Sequence, residues 1–335
     1  MNALKLVTTI EQWPLSEPFR ITGRTFEVID VLLVSLTRDG HTGRGEAVGV
    51  YYQNDTPEIL RERVESVRIE IERGISTESL RRLLPPGGAR NALDCAMWDL
   101  DAKLQARPAW QIAGIAPPTP IVTTFTCGAD DPERMVAAAR SYRGARAIKL
   151  KLTGEPVDIQ RVRQVREALP EVWLAVDANQ GFTLVTLEQL MPTLVEARVA
   201  AIEQPLRVGD EAQLERFGSP IPIIADESSQ SLEDVPQLVG RFDGLNIKLD
   251  KSGGLTEALA MARKARELGL VPMVGNMFGT SLAMAPAFLV GQLCDVVELD
   301  GPIYLRADRT PPAKFEDGRM SCPGELWGGA LAHRG

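Results

Sequence analysis

From about residue 120 onward the chain alternates short apolar runs with longer amphipathic segments, and several of the runs end on an ionisable residue. They are AIKLK at 147–151, WLAVD at 173–177, VAAIE at 199–203, IPIIAD at 221–226 and GLNIK at 244–248. The terminal residues Lys151, Asp177, Glu203, Asp226 and Lys248 follow one another at steps of 26, 26, 23 and 22 residues. A buried strand of about 4–8 residues, a returning helix of about 10–15 and two loops take up that length. The pattern predicts strands near 121–127, 146–152, 172–177, 199–203, 222–226, 243–248, 271–275 and 294–299, with helices such as DPERMVAAARSY and LTEALAMARKARELG between them. Eight such units make an α/β fold closed as a (β/α)8-type barrel, whose chemistry lies at the C-terminal ends of its strands.

The first hundred-odd residues read differently. Residues 3–10 and 28–38 are rich in β-branched residues, and TRDGHTGRGEAVGV reads as a hairpin turning at Asp39–Gly40. PEILRERVESVRIEIERG and ARNALDCAMWDLDAKLQA have helical periodicity; the first opens at Thr56–Pro57 and the second follows the breaker Pro85–Pro86–Gly87–Gly88. Strands followed by helices predict an N-terminal α+β capping domain at 1–118, joined through the proline-rich 116–120 to a barrel domain at 119–300. Residues 301–335 have little periodicity and are expected to return to the capping domain.

Composition narrows the function. With 335 residues, 44% of them hydrophobic and 24% charged, the chain suits one barrel plus a smaller unit. A net charge of −8 argues against nucleic acid, which calls for a basic face. No apolar run reaches membrane-span length, and the start shows no signal-peptide core. Cys95, Cys127, Cys294 and Cys322 lack metal-type spacing and point to a reduced, cytoplasmic protein. His41 and His333 are the only histidines, so a base on the barrel face is a Lys, Asp, Glu or Tyr.

Asp177, Glu203 and Asp226 would end three consecutive strands. Three hard oxygen donors without His or Cys favour Mg²⁺, with Mn²⁺ as the alternative. Lys149 and Lys151 are two apart and share a strand face, while Lys248 ends a strand on the other side of the barrel. A metal between two facing lysines suits proton transfer on both faces of one carbon. Mg²⁺ chelated by a substrate carboxylate acidifies the adjacent Cα–H, and a lysine beside a cation can act as a base near neutral pH.

Those residues carry a resemblance. KLK at 149–151, DAN at 177–179, EQP at 203–205, ADES at 225–228, NIKLDKSGGLTEAL at 246–259 and NALDCAMWDL at 91–100 stand in the order and spacing of the muconate-lactonizing subgroup of the enolase superfamily. Within it the chain resembles the dipeptide epimerases, especially those of the L-Ala-D/L-Glu type. The resemblance implies Asp177, Glu203 and Asp226 as Mg²⁺ ligands, Lys151 and Lys248 as the acid/base pair on opposite faces of Cα, and Lys149 steadying the substrate carboxylate. It implies a dipeptide substrate epimerised at its C-terminal residue, and a homo-oligomer.

Dipeptide epimerases carry an Asp-x-Asp after the eighth strand that receives the substrate ammonium. This chain has Glu298-Leu299-Asp300, longer by one methylene at the first position. Pairing of the two acids with a local arginine such as Arg306 is the competing expectation. The segment Phe19–Phe26 resembles the capping loop over the barrel mouth, where Arg24 matches an arginine that meets a glutamate side chain. Thr126 and the 276–278 segment are expected to line the pocket. An N-acylamino-acid racemase or o-succinylbenzoate synthase is the alternative within the superfamily, and a Schiff-base aldolase on Lys151 or Lys248 the one outside it.

Overall fold

A computed structural model of the chain describes residues 4–21 and 24–329, with 20, 21 and 24 described by backbone alone. The first unit is an antiparallel sheet of β1 (Lys5–Ile21), β2 (Arg24–Arg38) and β3 (His41–Ala47), backed by helices α1 (Pro57–Ser66), α2 (Arg68–Glu72), α3 (Thr77–Leu83), α4 (Gly88–Leu104) and α5 (Ala109–Ile112). The turn between β2 and β3 is made at Asp39 and Gly40, both with positive φ as a two-residue hairpin turn requires. Leu32, Val34 and Leu36 of β2 pack on Leu93, Ala96 and Leu100 of α4. Gly43 and Gly45 bring β3 so close to α4 that a Cβ at Gly45 would stand 2.1 Å from the Ala92 carbonyl oxygen.

The second unit starts with β4 (Ile121–Val122) and then alternates: β5 (Thr124–Cys127), α6 (Pro132–Ser141), β6 (Ala147–Lys151), α7 (Asp158–Ala168), β7 (Trp173–Asp177), α8 (Leu184–Glu196), β8 (Ala201–Glu203), β9 (Ile223–Ala225), β10 (Gly244–Lys248), α9 (Leu249–Ser252), α10 (Leu255–Glu267), β11 (Val271–Gly275), α11 (Ser281–Gly291) and β12 (Val296–Val297). Strands β5 to β12 lie side by side in chain order as one parallel eight-stranded sheet. Its two edges meet through side chains: Leu299 N donates to Thr123 Oγ1, and Thr126 N donates to Asp300 Oδ2. The result is the expected barrel, nearly closed. Thr183 and Thr280 cap α8 and α11 by accepting backbone N–H groups of the first turn.

Several expectations are corrected. The helix expected from Pro57 onward breaks at Val67, whose φ of −111° is not helical. The apolar run 121–127 divides at Thr123: Ile121 and Val122 pair with β14 (Arg319–Ser321), and only β5 joins the barrel. An apolar run can serve either sheet, and here the hairpin of β13 (Lys314–Glu316) and β14 supplies a second partner. That hairpin also means that 301–335 returns to the capping unit only in part. Arg306 donates to Pro14 O and Leu15 O, and Trp327 Nε1 to Arg44 O and Cys95 O, whereas 314–321 stays with β4. The segment after β8 returns through the 3₁₀ turn Glu211–Arg216, and the segment after β9 through Val235–Leu238. The expected eighth strand is short: only Val296 and Val297 pair with β11, and Glu298 and Asp300 follow it. Residues Phe19–Phe26, read as a loop, end a strand ladder in which Phe19 pairs with Phe26 and Ile21 with Arg24.

Candidate active site

Register assembles the site. Parallel strands lie about 4.8 Å apart, and the ladders place Thr126 beside Lys149, Lys151 beside Asp177, and Asp177 beside Glu203. Asp226 follows one residue after β9. One oxygen from each of Asp177, Glu203 and Asp226 lies within 4.8 Å of the others, and all three residues are buried. Three carboxylates in that space repel, and their burial makes positive charge a requirement.

Four lysines answer it. Lys151 Nζ donates to Asp177 Oδ2 at 2.5 Å, and Lys248 Nζ to Asp226 Oδ2 at 2.7 Å. Lys251, fully buried, donates to Asp226 Oδ1 at 2.6 Å, to the Asp226 carbonyl and to Asn246 O. Lys149 Nζ donates to Glu203 Oε2 at 2.7 Å and to Glu298 Oε2 at 2.6 Å, and lies 3.3 Å from Asp177 Oδ2. Asn246 Nδ2 donates to Glu203 Oε1 at 2.7 Å; this close approach needs Gly275, where a Cβ would stand 2.7 Å from Asn246 Oδ1.

The charges set the titration. Burial works to raise the Asp177 carboxyl, but Lys151 and Lys149 outweigh it and hold the group below its ordinary value. Asp226 is held low in the same way by Lys248 and Lys251. Glu203 goes the other way, to about 7, through burial and the charge of Asp177. Lys248 is raised above its ordinary value: burial opposes its ammonium, and Asp226 and Glu203 more than offset that.

The cavity above these groups, about 60 Å³, is lined by Thr126, Lys149, Lys151, Asp226, Lys248, Glu298 and Asp300. Glu298 Oε1 accepts from Thr126 Oγ1 at 2.6 Å. Asp300 accepts from Thr126 N and Tyr304 Oη on Oδ2 and from Asn276 Nδ2 on Oδ1. Arg306 bonds backbone carbonyls instead, so the expected arginine pairing of these two acids is not made. The other wall is aromatic: Phe19 meets Phe278 edge-on at 5.1 Å and Tyr304 at 4.9 Å, and Tyr51 and Tyr52 reach in from beyond β3. The Arg24 side chain lies outside the described residues.

Sequence reading missed Lys251, Glu227, Asn179, Tyr51, Tyr52 and Tyr304. The first three stand inside quoted motifs, so their positions were visible and their partners were not. The tyrosines carry no sequence signal, since they come from segments remote from the barrel runs. Glu227 is buried with Oε2 unpartnered, and its carboxyl is pushed up to about 7 by burial and Asp226.

Comparison with known proteins agrees with this geometry. Residues 133–326 match the model described as enolase C-terminal domain-like, and 3–114 that of the mandelate racemase / muconate lactonizing enzyme N-terminal domain. The chain belongs to the enolase superfamily. Among superfamily relatives, the L-Ala-D/L-Glu epimerase of Escherichia coli K12 is 37% identical over 92% of this chain and 97% of its own. An N-acetyl-D-glutamate racemase of a Pseudoalteromonas species is 42% identical over 77% of this chain and 82% of its own. Among solved structures, an enolase family member from Agrobacterium tumefaciens with homology to dipeptide epimerases, holding sodium and L-Ala-L-Glu, is 39% identical. It covers 97% of this chain and 100% of its own with a TM-score of 0.93. A dipeptide epimerase from Methylococcus capsulatus, complexed with Mg and L-Arg-D-Lys, is 30% identical over 96% and 98% with a TM-score of 0.88.

Proposed function

We propose that this superfamily member is a Mg²⁺-dependent dipeptide epimerase, an isomerase that inverts Cα of the C-terminal residue of L-Ala-D/L-Glu or a related dipeptide. The observation that carries the reading is the placement of Lys151 and Lys248. Their strands, β6 and β10, are separated by three others, so the two amino groups face the same cavity from opposite walls. Asp177, Glu203 and Asp226 would hold the metal; they are hard oxygen donors already gathered at cation-binding distance. When bound there, Mg²⁺ supplies a Lewis acid for the substrate carboxylate and draws carboxylate charge away from the lysines.

The chain's own groups do the rest. A neutral Lys151 or Lys248 takes the Cα proton from its side, and the other, as an ammonium, returns one to the opposite face. Run in reverse, the same pair epimerises the other diastereomer. Lys149, held cationic by Glu203 and Glu298, adds positive charge where the substrate carboxylate gains negative charge. Asp300 meets the dipeptide ammonium at an acidic corner that Glu298 shares, with Thr126 at its base. Arg24, at the hairpin tip, is proposed to meet an acidic side chain. A capping unit at 1–118 and a barrel at 119–300, with the segment from 301 onward shared between them, accompany this reading. No helix among the described residues is long and apolar enough to cross a membrane, and the four cysteines are unpaired, as a cytoplasmic protein would have them.

The test is incubation in D₂O with Mg²⁺, read by mass. L-Ala-L-Glu is expected to gain one deuterium at Cα of glutamate and to yield L-Ala-D-Glu. The 42% identity to an N-acetyl-D-glutamate racemase favours a second reading, an N-acylamino-acid racemase. Exchange confined to N-acetyl-L-glutamate would establish that reading in place of the first.

A further inference from the structure

The position that departs from the relatives' Asp-x-Asp makes contacts of its own. Glu298 is buried at 4% exposure, and both of its oxygens are committed: Oε2 to the Lys149 ammonium at 2.6 Å and Oε1 to the Thr126 hydroxyl at 2.6 Å. Asp300 is equally buried, but each donor it meets (Thr126 N, Tyr304 Oη and Asn276 Nδ2) is neutral. Of the two acids, one has a cation and the other has none.

We propose that Glu298 is a positioning residue for Lys149 and takes no part in receiving the substrate ammonium, which is left to Asp300. This rests on the dipeptide reading and deepens it. The additional methylene lets the residue 298 carboxylate cross to β6, where it anchors Lys149 from the side away from Glu203. Lys149 has three carboxylates around it, and Asp177 and Glu203 belong to the proposed cation site. Glu298 is the third, and among the described residues its sole ion-pair partner is Lys149. It therefore fixes where that ammonium stands as the substrate carboxylate gains charge. Asp300, with a charge no neighbour neutralises, is left to read the amine.

The experiment separates binding from turnover with two ligands. One is L-Ala-L-Glu, and the other is N-propionyl-L-glutamate, the same shape without the ammonium. Asp300→Asn should weaken calorimetric binding of the dipeptide by about 10- to 100-fold, the loss of a charged hydrogen bond, and leave the propionyl analogue within about 2-fold. Glu298→Gln should keep dipeptide affinity within about 3-fold and lower kcat by about 10-fold or more, the cost of misplacing a positioned charge.

A double-mutant cycle sharpens the distinction. Glu298→Gln combined with Lys149→Met should be strongly non-additive in kcat, and combined with Asp300→Asn additive in dipeptide affinity. Glu298→Asp, which restores the relatives' residue, should also lose kcat, because the shorter acid falls short of Lys149. The proposal is overturned if Glu298→Gln weakens the dipeptide as much as Asp300→Asn does while sparing the propionyl analogue. If the unaltered protein exchanges no Cα proton of any dipeptide, the functional reading fails instead, which the D₂O experiment shows independently.

Discussion

The barrel mouth and the hairpin tip above it are built on opposite principles. At the mouth, charged groups are locked by strand register: Lys151, Asp177 and Glu203 are ladder neighbours on adjoining strands. Asp177, Glu203 and Asp226 each have an ammonium within 2.7 Å. At the tip, contact is aromatic. Phe19 and Phe26 of the hairpin lean on Phe278 at 5.1 and 5.3 Å, and a break in the β1–β2 register between Pro14 and Phe19 separates the tip from the rest of the strand. Charged hydrogen bonds are directional and short, whereas ring contacts tolerate displacement. On the proposed function, proton transfer falls where register and charge hold the groups, and Arg24 lies on the other side of the contrast.

The largest effect expected from breaking this arrangement is at the mouth. Lys151→Ala or Lys248→Ala should each lower epimerisation by about 10³- to 10⁴-fold, the range of a positioned acid or base. Each should retain some Cα exchange from the one diastereomer facing the surviving lysine, followed by ¹H NMR in D₂O. Full activity in either variant would end the two-lysine mechanism. Asp226→Asn should weaken Mg²⁺ binding by about 10- to 100-fold in calorimetry. Unchanged affinity would remove Asp226 from the ligand set, and EDTA should silence the unaltered enzyme.

A smaller effect, on stability, is expected below the tip. Gly45→Ala forces a methyl into the Ala92 carbonyl and should cost about 1–3 kcal/mol in denaturant unfolding. A neutral result would mean that β3 and α4 can separate. The smallest effect belongs to the tip itself. Arg24→Ala should raise KM for a dipeptide ending in glutamate by about 10-fold and for an apolar one by less than about 2-fold, with kcat nearly unchanged. An equal rise for both would take Arg24 out of side-chain selection.

The same contrast decides what could be read from the chain. Barrel strands are buried on both sides, so each appears as an apolar run, and a charge at its end stands out. Lys151, Asp177, Glu203, Asp226 and Lys248 were visible for that reason; Lys151, Asp226 and Lys248 line one cavity, and Asp177 and Glu203 gather beside Asp226. Other features depend on distance in space. Thr123 divides an apolar run that looks continuous, because one part pairs with residues 319–320 and the other with residues 147–150. Tyr304 and Tyr51 reach the cavity from outside the repeating pattern. The choice of Glu298 between an ammonium and Lys149 turns on one methylene, and only the position of β6 relative to β12 resolves it.

The stitching of residues 326–328 onto the capping unit bears on how the molecule is made. Gly328 N donates to Asp99 Oδ1 and its carbonyl accepts from Ala109 N, while Arg44 reaches Leu326 O. Translation delivers the partners of this seam at opposite ends of the process. The unit synthesised first must wait, unsealed, while the whole barrel emerges from the ribosome. Its completion is then a late closing step, and a chain ending after residue 322 would lack every contact of this seam.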